Sequence, residues 1–338
     1  MDQVGFGIVG CGGIGPLHAD ALAEVEDGRL VAVCDVIPER AQKCAEKHNC
    51  RWYADYEQLL GDKEVQIVNI CTPSGMHADM GIQAAKAGKH VLSEKPLDVR
   101  LDKADALIEA CDKAGVRLGC IFQNRFNPAA RKIKRAIDEG RFGQLVLGVA
   151  DCIWYRAQSY YDSGEWRGTW ALDRGCLCNQ GVHFIDQLCW FMGDVKEVAC
   201  ADAPTLNRNI ESEDLGVALL RFENGARGMI QATTLAYPGV SSRVVICGTQ
   251  GSAAIDGGNL LMFKVEGEEE ESPAASAHQS GPTTASDPLA NLPSGHAAQM
   301  IDMIEAIRED REPTVNGPEA RRAIHALDLI YRAAGRPA

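Results

Sequence analysis

Residues 4–15 have the sequence VGFGIVGCGGIG, and this stretch decides the fold of the first part of the chain. It opens with Val4–Val9, an apolar run typical of a buried strand, and a helical periodicity begins at Ile14. Between them Gly10 permits a tight turn, Gly12 lets a pyrophosphate approach the backbone, and Gly15 lets the helix pack on the strand. The stretch predicts a dinucleotide site formed by Gly10, Gly12, Gly13, Ile14 and Gly15.

The first third of the chain alternates short β-branched runs with segments of helical period, which indicates parallel strands joined by crossover helices. The strand-like runs are Val4–Val9, Leu30–Cys34, Val65–Cys71, His90–Leu92 and Val116–Ile121. The helical segments are Ile14–Val25, Pro38–His48, Met76–Ala87 and Leu101–Ala114. We therefore predict an α/β fold with a doubly wound parallel sheet, whose ligands bind at the carboxyl ends of the strands.

The pattern changes at a boundary that we place between residues 1–126 and residues 127–338. Longer alternating runs in the second part predict an open, mostly antiparallel sheet. Asn224 and Gly225 lie between two of these runs and predict a hairpin with positive φ at both central positions. Residues 266–295 are rich in Glu, Ser, Ala and Pro, and we expect a solvated loop there rather than an active-site lid.

Composition excludes several classes of protein. Among 338 residues, 34 Lys and Arg stand against 47 Asp and Glu, a formal charge of −13, so no broad basic surface for nucleic acid is expected. No apolar run approaches the roughly 20 residues that span a bilayer, so we expect no membrane anchor. The 13 cysteines are odd in number and scattered through apolar runs, so disulfides are not required. We expect a reducing, cytoplasmic compartment and no metal site.

The choice of cofactor depends on Asp35, which follows the second strand-like run. A carboxylate there accepts hydrogen bonds from both ribose hydroxyls of a dinucleotide and repels the 2′-phosphate of NADP. Val36 and Ile37 supply no compensating cation, although Arg40 lies one helical turn further on. We predict NAD as the cofactor in preference to NADP.

Two further strand ends carry polar residues that we assign to the cofactor site. Thr72, Pro73 and His77 follow one strand-like run, and Glu94 and Lys95 follow the next. Because Lys95 precedes a proline, its backbone is biased toward an extended conformation, from which the ammonium group can project over the crevice. An exposed loop lysine is the other reading of this position.

Together these motifs resemble one family over nearly the whole chain. The matching segments are the glycine motif, Asp35, Thr72-Pro73 with His77, Glu94-Lys95-Pro96, Asn179-Gln180-Gly181-Val182-His183 and Gly248-Thr249-Gln250-Gly251. They resemble the Gfo/Idh/MocA oxidoreductases, which include glucose–fructose oxidoreductase and inositol dehydrogenase. The resemblance implies an NAD(P)-binding Rossmann domain followed by a substrate-binding α/β domain. The open sheet of that second domain often forms the oligomer interface, here of a homodimer or homotetramer.

The resemblance also implies hydride transfer between nicotinamide and a secondary alcohol carbon of a sugar or cyclitol. It assigns Lys95 to the reacting hydroxyl and His183 to general acid/base catalysis, with Asn179 where many inositol-dehydrogenase-like members carry aspartate. Histidine suits the removal of a hydroxyl proton near neutral pH, and an ammonium group stabilises a developing alkoxide. The i, i+4 spacing predicts that Asn179 and His183 share a helix face, with Asp186 placed to orient the imidazole.

A cluster of aromatic and basic residues precedes this helical segment, because residues 166–170 have the sequence WRGTW. Aromatic faces stack on sugar rings, and arginine binds hydroxyls, carboxylates or phosphates; packing against a helix is the alternative. A similar stretch occurs in proteins resembling nucleotide-sugar 3-dehydrogenases, so the expected substrate is a sugar, cyclitol or nucleotide sugar. The predicted substrate contacts are Lys95, Asn124, Arg125, Trp166, Arg167, Asn179 and His183.

Two other functions remain open on the sequence. A redox-assisted enzyme that cleaves or epimerises a glycoside would retain its NAD and act through a keto-sugar. A non-catalytic NAD-binding sensor would need the glycine motif but neither Lys95 nor His183. Release of NADH in each turnover distinguishes the dehydrogenase from both.

Overall fold

The computed structural model describes residues 3–268 and 293–337. The chain divides into two compact units, Met1–Gln123 with Leu292–Arg321 and Asn124–Asn291 with Arg322–Ala338. The first stretch of the first unit contains β1 (Val4–Val9), α1 (Gly15–Leu22), β2 (Gly28–Cys34), α2 (Pro38–His48), β3 (Arg51–Tyr53), α3 (Tyr56–Gly61), β4 (Ile67–Ile70), α4 (His77–Lys86), β5 (His90–Ser93), α5 (Leu101–Ala114) and β6 (Leu118–Cys120).

These strands form one six-stranded sheet in the order β3-β2-β1-β4-β5-β6. Every neighbouring pair is parallel, which confirms the predicted doubly wound α/β architecture. The chain moves outward from β1 to β3 and then returns to pair β4 with β1, so the strand order reverses between β1 and β4. Ligands of such sheets bind beside this reversal, outside the carboxyl ends of the strands.

The sequence prediction missed β3 and α3, because both are short and carry weak periodicity. Strand β3 has three residues, two of them exposed. Helix α3 has six residues and begins at the N-cap Asp55, whose carboxylate accepts the N–H of Glu57 at 2.9 Å. A cap of this kind stabilises a single turn that packing alone would hold weakly.

The second unit consists of helices and one seven-stranded sheet. Its elements are α6 (Pro128–Asp138), β7 (Leu145–Ile153), α7 (Gln158–Tyr161), α8 (Cys176–Asn179), α9 (Val182–Met192), β8 (Val195–Asp202), β9 (Leu215–Phe222), β10 (Arg227–Thr233), β11 (Ser241–Gly248), β12 (Gly251–Asp256) and β13 (Asn259–Val265). The sheet has the order β13-β12-β11-β7-β10-β9-β8. Only β7 and β10 pair in parallel, and the other neighbours are antiparallel, which confirms the prediction for this sheet.

The predicted hairpin at Asn224 and Gly225 joins β9 to β10, but its turn differs from the prediction. Gly225 has a φ of 86°, whereas Asn224 is not among the residues with positive φ. The side chain of Asn224 instead accepts the N–H of Ala226 at 3.0 Å and donates to the carbonyl of Met192 at 2.8 Å. A longer hairpin loop with one left-handed glycine replaces the expected two-residue turn.

Two helices, α10 (Pro293–Arg308) and α11 (Gly317–Ala333), follow the second sheet. The prediction of one boundary near residue 126 is corrected here, because α10 belongs to the first unit. Met300, Met303 and Ile304 of α10 are buried in the same cluster as Phe6 of β1 and Leu22 of α1. Of the predicted loop at residues 266–295, positions 269–292 lie outside the described residues. Across the described ranges, no helix combines the length and apolar character needed to cross a membrane.

Candidate active site

The glycine turn after β1 leaves its backbone open to a ligand. Gly10 has a φ of 94°, and a Cβ atom there would lie 2.5 Å from the carbonyl oxygen of Cys71. A Cβ atom on Gly15 would lie 1.9 Å from the carbonyl oxygen of Gly10. Gly12 and Gly13 are exposed, and within the described part of the chain nothing lies within 4 Å of their Cβ positions. The fold therefore requires two of these glycines and leaves free space at the other two.

Helix α1 begins directly after this turn, with Ile14 at its N-cap. No side chain of the described residues caps this end of the helix. The first N–H groups of a helix carry partial positive charge, so an uncapped end beside exposed glycines fits the pyrophosphate of a dinucleotide. The side chain of Ile14 packs against the buried cluster that contains Ile8 and Val33. Its contribution to a cofactor site would therefore come from its backbone.

Asp35 lies at the end of β2 and is bonded to the glycine turn itself. Its Oδ2 accepts the N–H of Cys11 at 2.7 Å, and its Oδ1 accepts the N–H of Ile37 at 2.8 Å. The carboxylate is 7% exposed, whereas Val36 and Ile37 beside it are 87% and 40% exposed. A carboxylate oxygen accepts more than one hydrogen bond, so this geometry leaves capacity for ribose hydroxyls.

The loop after β4 contains Thr72, Pro73 and His77. Nε2 of His77 lies 2.8 Å from the carbonyl oxygen of Thr72, and Nδ1 lies 2.7 Å from that of Pro96. His77 is 1% exposed. The predicted contact of this ring with the cofactor is therefore corrected: His77 joins two loops of the protein. Thr72 is different, because its Oγ1 is buried with no hydrogen-bond partner among the described residues, as expected of an atom that awaits a ligand.

The loop after β5 holds Lys95 through its backbone. The N–H of Glu94 donates to the carbonyl of Ile70 at 2.9 Å, and the N–H of Lys95 donates to Oε2 of Glu94 at 3.0 Å. Lys95 is partly exposed, and its peptide bond to Pro96 is cis. The carboxylate of Glu94 bonds protein groups, so a contact of this residue with the cofactor would fall to its main chain.

In the second unit, the segment that carries Asn179 and His183 is not one continuous helix. Helix α8 ends at Asn179, and α9 starts only after Gly181. At the break, the N–H of Gly181 bonds the carbonyl of Cys176 at 2.7 Å, and a Cβ atom on Gly181 would lie 2.8 Å from the carbonyl oxygen of Leu177. The prediction that both side chains share the face of one helix is wrong, because the glycine closes one turn and begins a second helix.

The amide of Asn179 is oriented by a buried acid. Its Nδ2 donates to Oδ1 of Asp173, whose Oδ2 accepts the N–H of Gly168 at 2.7 Å. Asp173 is 1% exposed, Asn179 is partly exposed and His183 is 9% exposed. Asp173 was not selected from the sequence, since nothing in its spacing connects it with Asn179.

The predicted substrate cluster forms a stack around one guanidinium group. The Cζ of Arg167 lies 4.2 Å from the centroid of the Tyr160 ring and 4.5 Å from that of Trp166. Its Nη1 also donates to the hydroxyl of Tyr160 at 2.6 Å. Nε2 of Gln180 donates to the same hydroxyl at 3.4 Å, which connects the cluster with the segment of Asn179. The cation and both rings are therefore placed together beside the predicted catalytic segment.

Two other predicted substrate contacts occupy different surroundings. Arg125 is 1% exposed, and its guanidinium bonds both carboxylate oxygens of Asp186. This corrects the assignment of Arg125 to substrate and gives Asp186 a partner that the sequence did not predict. Asn124 is partly exposed, and its carbonyl accepts from Nε2 of Gln187 at 3.4 Å.

A buried acid that the sequence did not single out supports the start of α8. The carbonyl of Glu213 accepts the N–H of Cys176 at 2.9 Å, and its Oε1 accepts from the N–H of Leu177 at 3.0 Å and from the hydroxyl of Tyr331 at 2.8 Å. Within the described residues its Oε2 has no hydrogen-bond partner. Burial raises the pKa of Glu213 to about 7. Its position follows from packing between strands and helices distant in sequence.

Comparison with known proteins identifies the family. Residues 4–122 match the oxidoreductase family with an NAD-binding Rossmann fold, and residues 130–254 match the GFO/IDH/MocA C-terminal domain. The chain therefore belongs to the GFO/IDH/MocA family of oxidoreductases, and its first unit contains an NAD-binding Rossmann domain. This confirms the resemblance based on the motifs and the prediction of an NAD-binding Rossmann domain.

Individual relatives bear different names. An uncharacterized oxidoreductase of Bacillus subtilis, YrbE, is 32% identical over 262 residues, which are 75% of this chain and 74% of that protein. Myo-inositol 2-dehydrogenase of Thermotoga maritima is 30% identical over 74% of this chain and 75% of that protein. The crystal structure of the WlbA dehydrogenase of Bordetella pertussis, in complex with NADH and UDP-GlcNAcA, has a TM-score of 0.87 and 34% identity. The match covers 99% of this chain and 96% of that one.

Proposed function

We propose that this chain is an NAD-dependent dehydrogenase that acts on a secondary alcohol of a sugar, cyclitol or nucleotide sugar, with Lys95 and His183 as its catalytic pair. The glycine turn carries the proposal: Gly12 and Gly13 face open space at the uncapped end of α1, as a bound pyrophosphate requires. Membership of an oxidoreductase family and relatives named inositol dehydrogenase support the reaction class.

The chemistry divides between the cofactor and the side chains. Bound NAD supplies the acceptor for a hydride. As the C–H electron pair leaves the carbinol carbon with the hydrogen, the hydroxyl proton passes to the imidazole of His183, and the C–O bond becomes a carbonyl. The ammonium of Lys95 stabilises negative charge on that oxygen, and Asn179, oriented by Asp173, positions the hydroxyl.

For the preference among dinucleotides, we propose NAD over NADP. Asp35 places a carboxylate at the end of β2, and the exposed residues directly after it, Val36 and Ile37, carry no charge to receive a 2′-phosphate.

Among the candidate substrates, a nucleotide sugar that carries a carboxylate is favoured by the position of one arginine side chain. Arg167 offers a guanidinium stacked between Tyr160 and Trp166, next to the segment of Asn179. Guanidinium groups form bidentate hydrogen bonds with carboxylates and phosphates. The 34% identical Bordetella protein was crystallised with such a molecule. Inositols are the competing class, because several relatives are named for them, among them those of Thermotoga maritima and Rhizobium meliloti.

The test is a substrate screen followed by variants. UDP-sugar acids, UDP-sugars, free sugars and inositols are assayed for substrate-dependent absorbance of NADH. Lys95→Met is expected to keep NADH binding and to lower kcat by about 10²–10³-fold, and His183→Ala to remove the acidic limb of the pH–rate profile for alcohol oxidation. Lys103→Met, at a partly exposed lysine paired with Asp79, is the control. Unchanged turnover of Lys95→Met contradicts the catalytic pair, and product without net NADH favours the redox-assisted alternative.

We also propose self-association through the seven-stranded sheet. Leu188 and Met192 of α9 contact the position of Gly148, so helices cover one face of this sheet. The other carries apolar side chains that are 37–47% exposed: Leu147, Val217, Leu219, Met229 and Met262. An apolar patch of this kind is typical of an interface between subunits.

A further inference from the structure

A buried carboxylate beside Lys95 gathers three segments of the first unit. Oε1 of Glu94 lies 2.7 Å from Nε2 of His18 on α1 and 3.6 Å from Nε2 of His296 on α10. Oε2 of Glu94 accepts the N–H of Lys95. Glu94 is 6% exposed, and the two histidines are 0% and 3% exposed. One acidic group thus joins two helices and the loop that precedes Pro96.

The protons in this cluster follow from the hydrogen bonds around it. Nδ2 of Asn69 lies 2.8 Å from Nδ1 of His18, and the thiol of Cys71 donates to Oδ1 of Asn69 at 3.8 Å. The thiol contact identifies which atom of the Asn69 side chain is the oxygen, so the Asn69 N–H₂ group faces His18 and donates to its Nδ1. Because Nδ1 accepts, the imidazole of His18 carries its proton on Nε2. Nε2–H then donates to the Glu94 carboxylate. A chain of bonds therefore runs from β4 through α1 to the loop of Lys95.

Burying the carboxylate of Glu94 costs free energy, because the charged group loses its hydration. Burial by itself raises the pKa of the Glu94 carboxyl, but the bonds from His18 and His296 outweigh burial and hold that pKa well below its usual range. Burial lowers the pKa of His18. The cluster thus contains a buried carboxylate held by His18 and His296, which apolar side chains of similar size would replace without penalty if only packing were needed.

The location of the carboxylate indicates what it is needed for. Helix α1 starts at the glycine turn, where the pyrophosphate is expected, and the loop after β5 carries Lys95. We propose that Glu94 is a positioning residue: its carboxylate, held by His18 and His296, fixes the backbone of Lys95 against helix α1. The inference rests on the proposed function, since it is the catalytic role of Lys95 that gives this position a consequence.

The same three side chains could also be considered as metal ligands, since their ligand atoms all lie within 4.8 Å of one another. The hydrogen bonds favour the positioning role. Nε2 of His18 carries a proton toward Glu94, so its lone pair is not directed at a metal ion, and a separation of 2.7 Å is that of a hydrogen bond. Metal content is nevertheless part of the test.

The primary variant is Glu94→Gln, which keeps the size of the side chain but places an amide N–H₂ against a donor. Asp98→Asn is the matched control: Asp98 is a fully buried carboxylate of the same loop, but it accepts the N–H groups of Arg100 and Ala78 rather than that of Lys95. For Glu94→Gln we expect kcat to fall by about 10²-fold with the Kd of NADH unchanged, as for a catalytic group displaced by an ångström. For Asp98→Asn we expect kcat near that of the parent protein.

Two further measurements separate positioning from general damage. Hydrogen exchange at the Lys95 amide, followed by mass spectrometry without substrate, is expected to accelerate in Glu94→Gln and not in Asp98→Asn, because only the first loses the acceptor. A double variant tests the route of the effect: in the Lys95→Met background, Glu94→Gln is expected to change residual turnover no further. His18→Gln retains an N–H donor for the Glu94 carboxylate and is expected to keep its activity. His18→Leu removes that donor and is expected to lose activity.

The outcomes decide between the two proposals. If Lys95→Met is inactive while Glu94→Gln matches the parent in kcat and in hydrogen exchange, the positioning role is overturned and the proposed function stands. An additive loss in the double variant, or equal effects of Glu94→Gln and Asp98→Asn, also overturns it, as does stoichiometric zinc in the purified protein that Glu94→Gln abolishes. An active Lys95→Met variant instead overturns the proposed function itself.

Discussion

Arg125 and Asp186 form a two-pronged ion pair in which each side chain is 1% exposed. Nε and Nη2 of the guanidinium lie 2.8 and 2.7 Å from the two carboxylate oxygens, and the Cζ atom lies 5.4 Å from the centroid of the Trp190 ring. The pair fixes the short segment before α6 onto α9, the helix of His183. Arg125, which the sequence analysis assigned to substrate binding, therefore stabilises the position of that helix instead.

This pair should contribute to stability far more than an exposed one. In Asp186→Asn the Arg125 charge stays buried with a weaker partner, so we expect a loss of about 3–5 kcal/mol in the free energy of unfolding. Glu197→Gln is the control, because its partner Arg221 and Glu197 are 50% and 49% exposed, and a change of at most about 1 kcal/mol is expected. Urea unfolding measures both. Equal losses would contradict a special role for the buried pair.

Glu213 predicts a pH dependence of stability. Its pKa in the folded protein is about 7, above the usual 4.5, because burial disfavours the charged form. A raised pKa contributes stability that is fully present below pH 4.5 and is lost as the pH rises through 7. The difference corresponds to roughly 3 kcal/mol between the two limits.

In Glu213→Gln this contribution no longer titrates, so the free energy of unfolding should fall less between pH 5 and pH 8 than in the parent protein. Denaturant unfolding across this range measures the difference. Glu223→Gln, at an exposed position, should follow the parent curve. The assignment fails if Glu213→Gln and the parent protein lose stability in parallel.

The proposed preference for NAD depends on Asp35. In Asp35→Ser combined with Ile37→Arg, the repelling carboxylate is removed and a cation is supplied, so the ratio of NADPH to NADH affinity should rise. We expect NADH binding to weaken about tenfold or more, as for loss of a hydrogen bond to a charged group. Fluorescence titration with both cofactors measures this, with Ile37→Arg alone as the control. Because Asp35 also bonds Cys11, a thermal melt accompanies each variant.

The exposed sheet face can be tested at Leu219, which lies opposite Met229 in the antiparallel pair β9–β10. Leu219→Glu places a charge in the centre of the apolar patch and should dissociate an oligomer that uses it. Leu206→Glu is the control, because Leu206 is 62% exposed and lies in the loop between β8 and β9, outside the strands that carry the patch. Light scattering after size-exclusion chromatography reports the mass. An oligomer that survives Leu219→Glu would place the interface elsewhere.

The sequence predicted the regular parts of this protein because they depend on local patterns. Strand β1, the glycine turn and helix α1 are encoded within residues 4–22, where apolar runs, glycines without Cβ atoms and helical periodicity act over a few positions. The alternation that follows predicts a parallel sheet in the same way. The family motifs then supplied the reaction class.

Where the prediction failed, a contact between distant residues decided the outcome. Gly181 separates α8 from α9 where the chain packs on β10, since a Cβ atom on Gly181 would lie 3.1 Å from the Cβ atom of Ala232. Helix α10 returns to the first unit because its methionines complete a core begun by β1. Neither fact has a signature in local spacing.

By itself, the sequence determined the dinucleotide-binding layout and the class of chemistry, since both depend on residue types at short spacing. Only the tertiary structure decided the partners of the charged side chains: Arg125 with Asp186, Glu94 with His18 and His296, Glu213 with Tyr331. The physical reason is that a buried charged or polar group must be paired, and the partner depends on which segments the fold brings together.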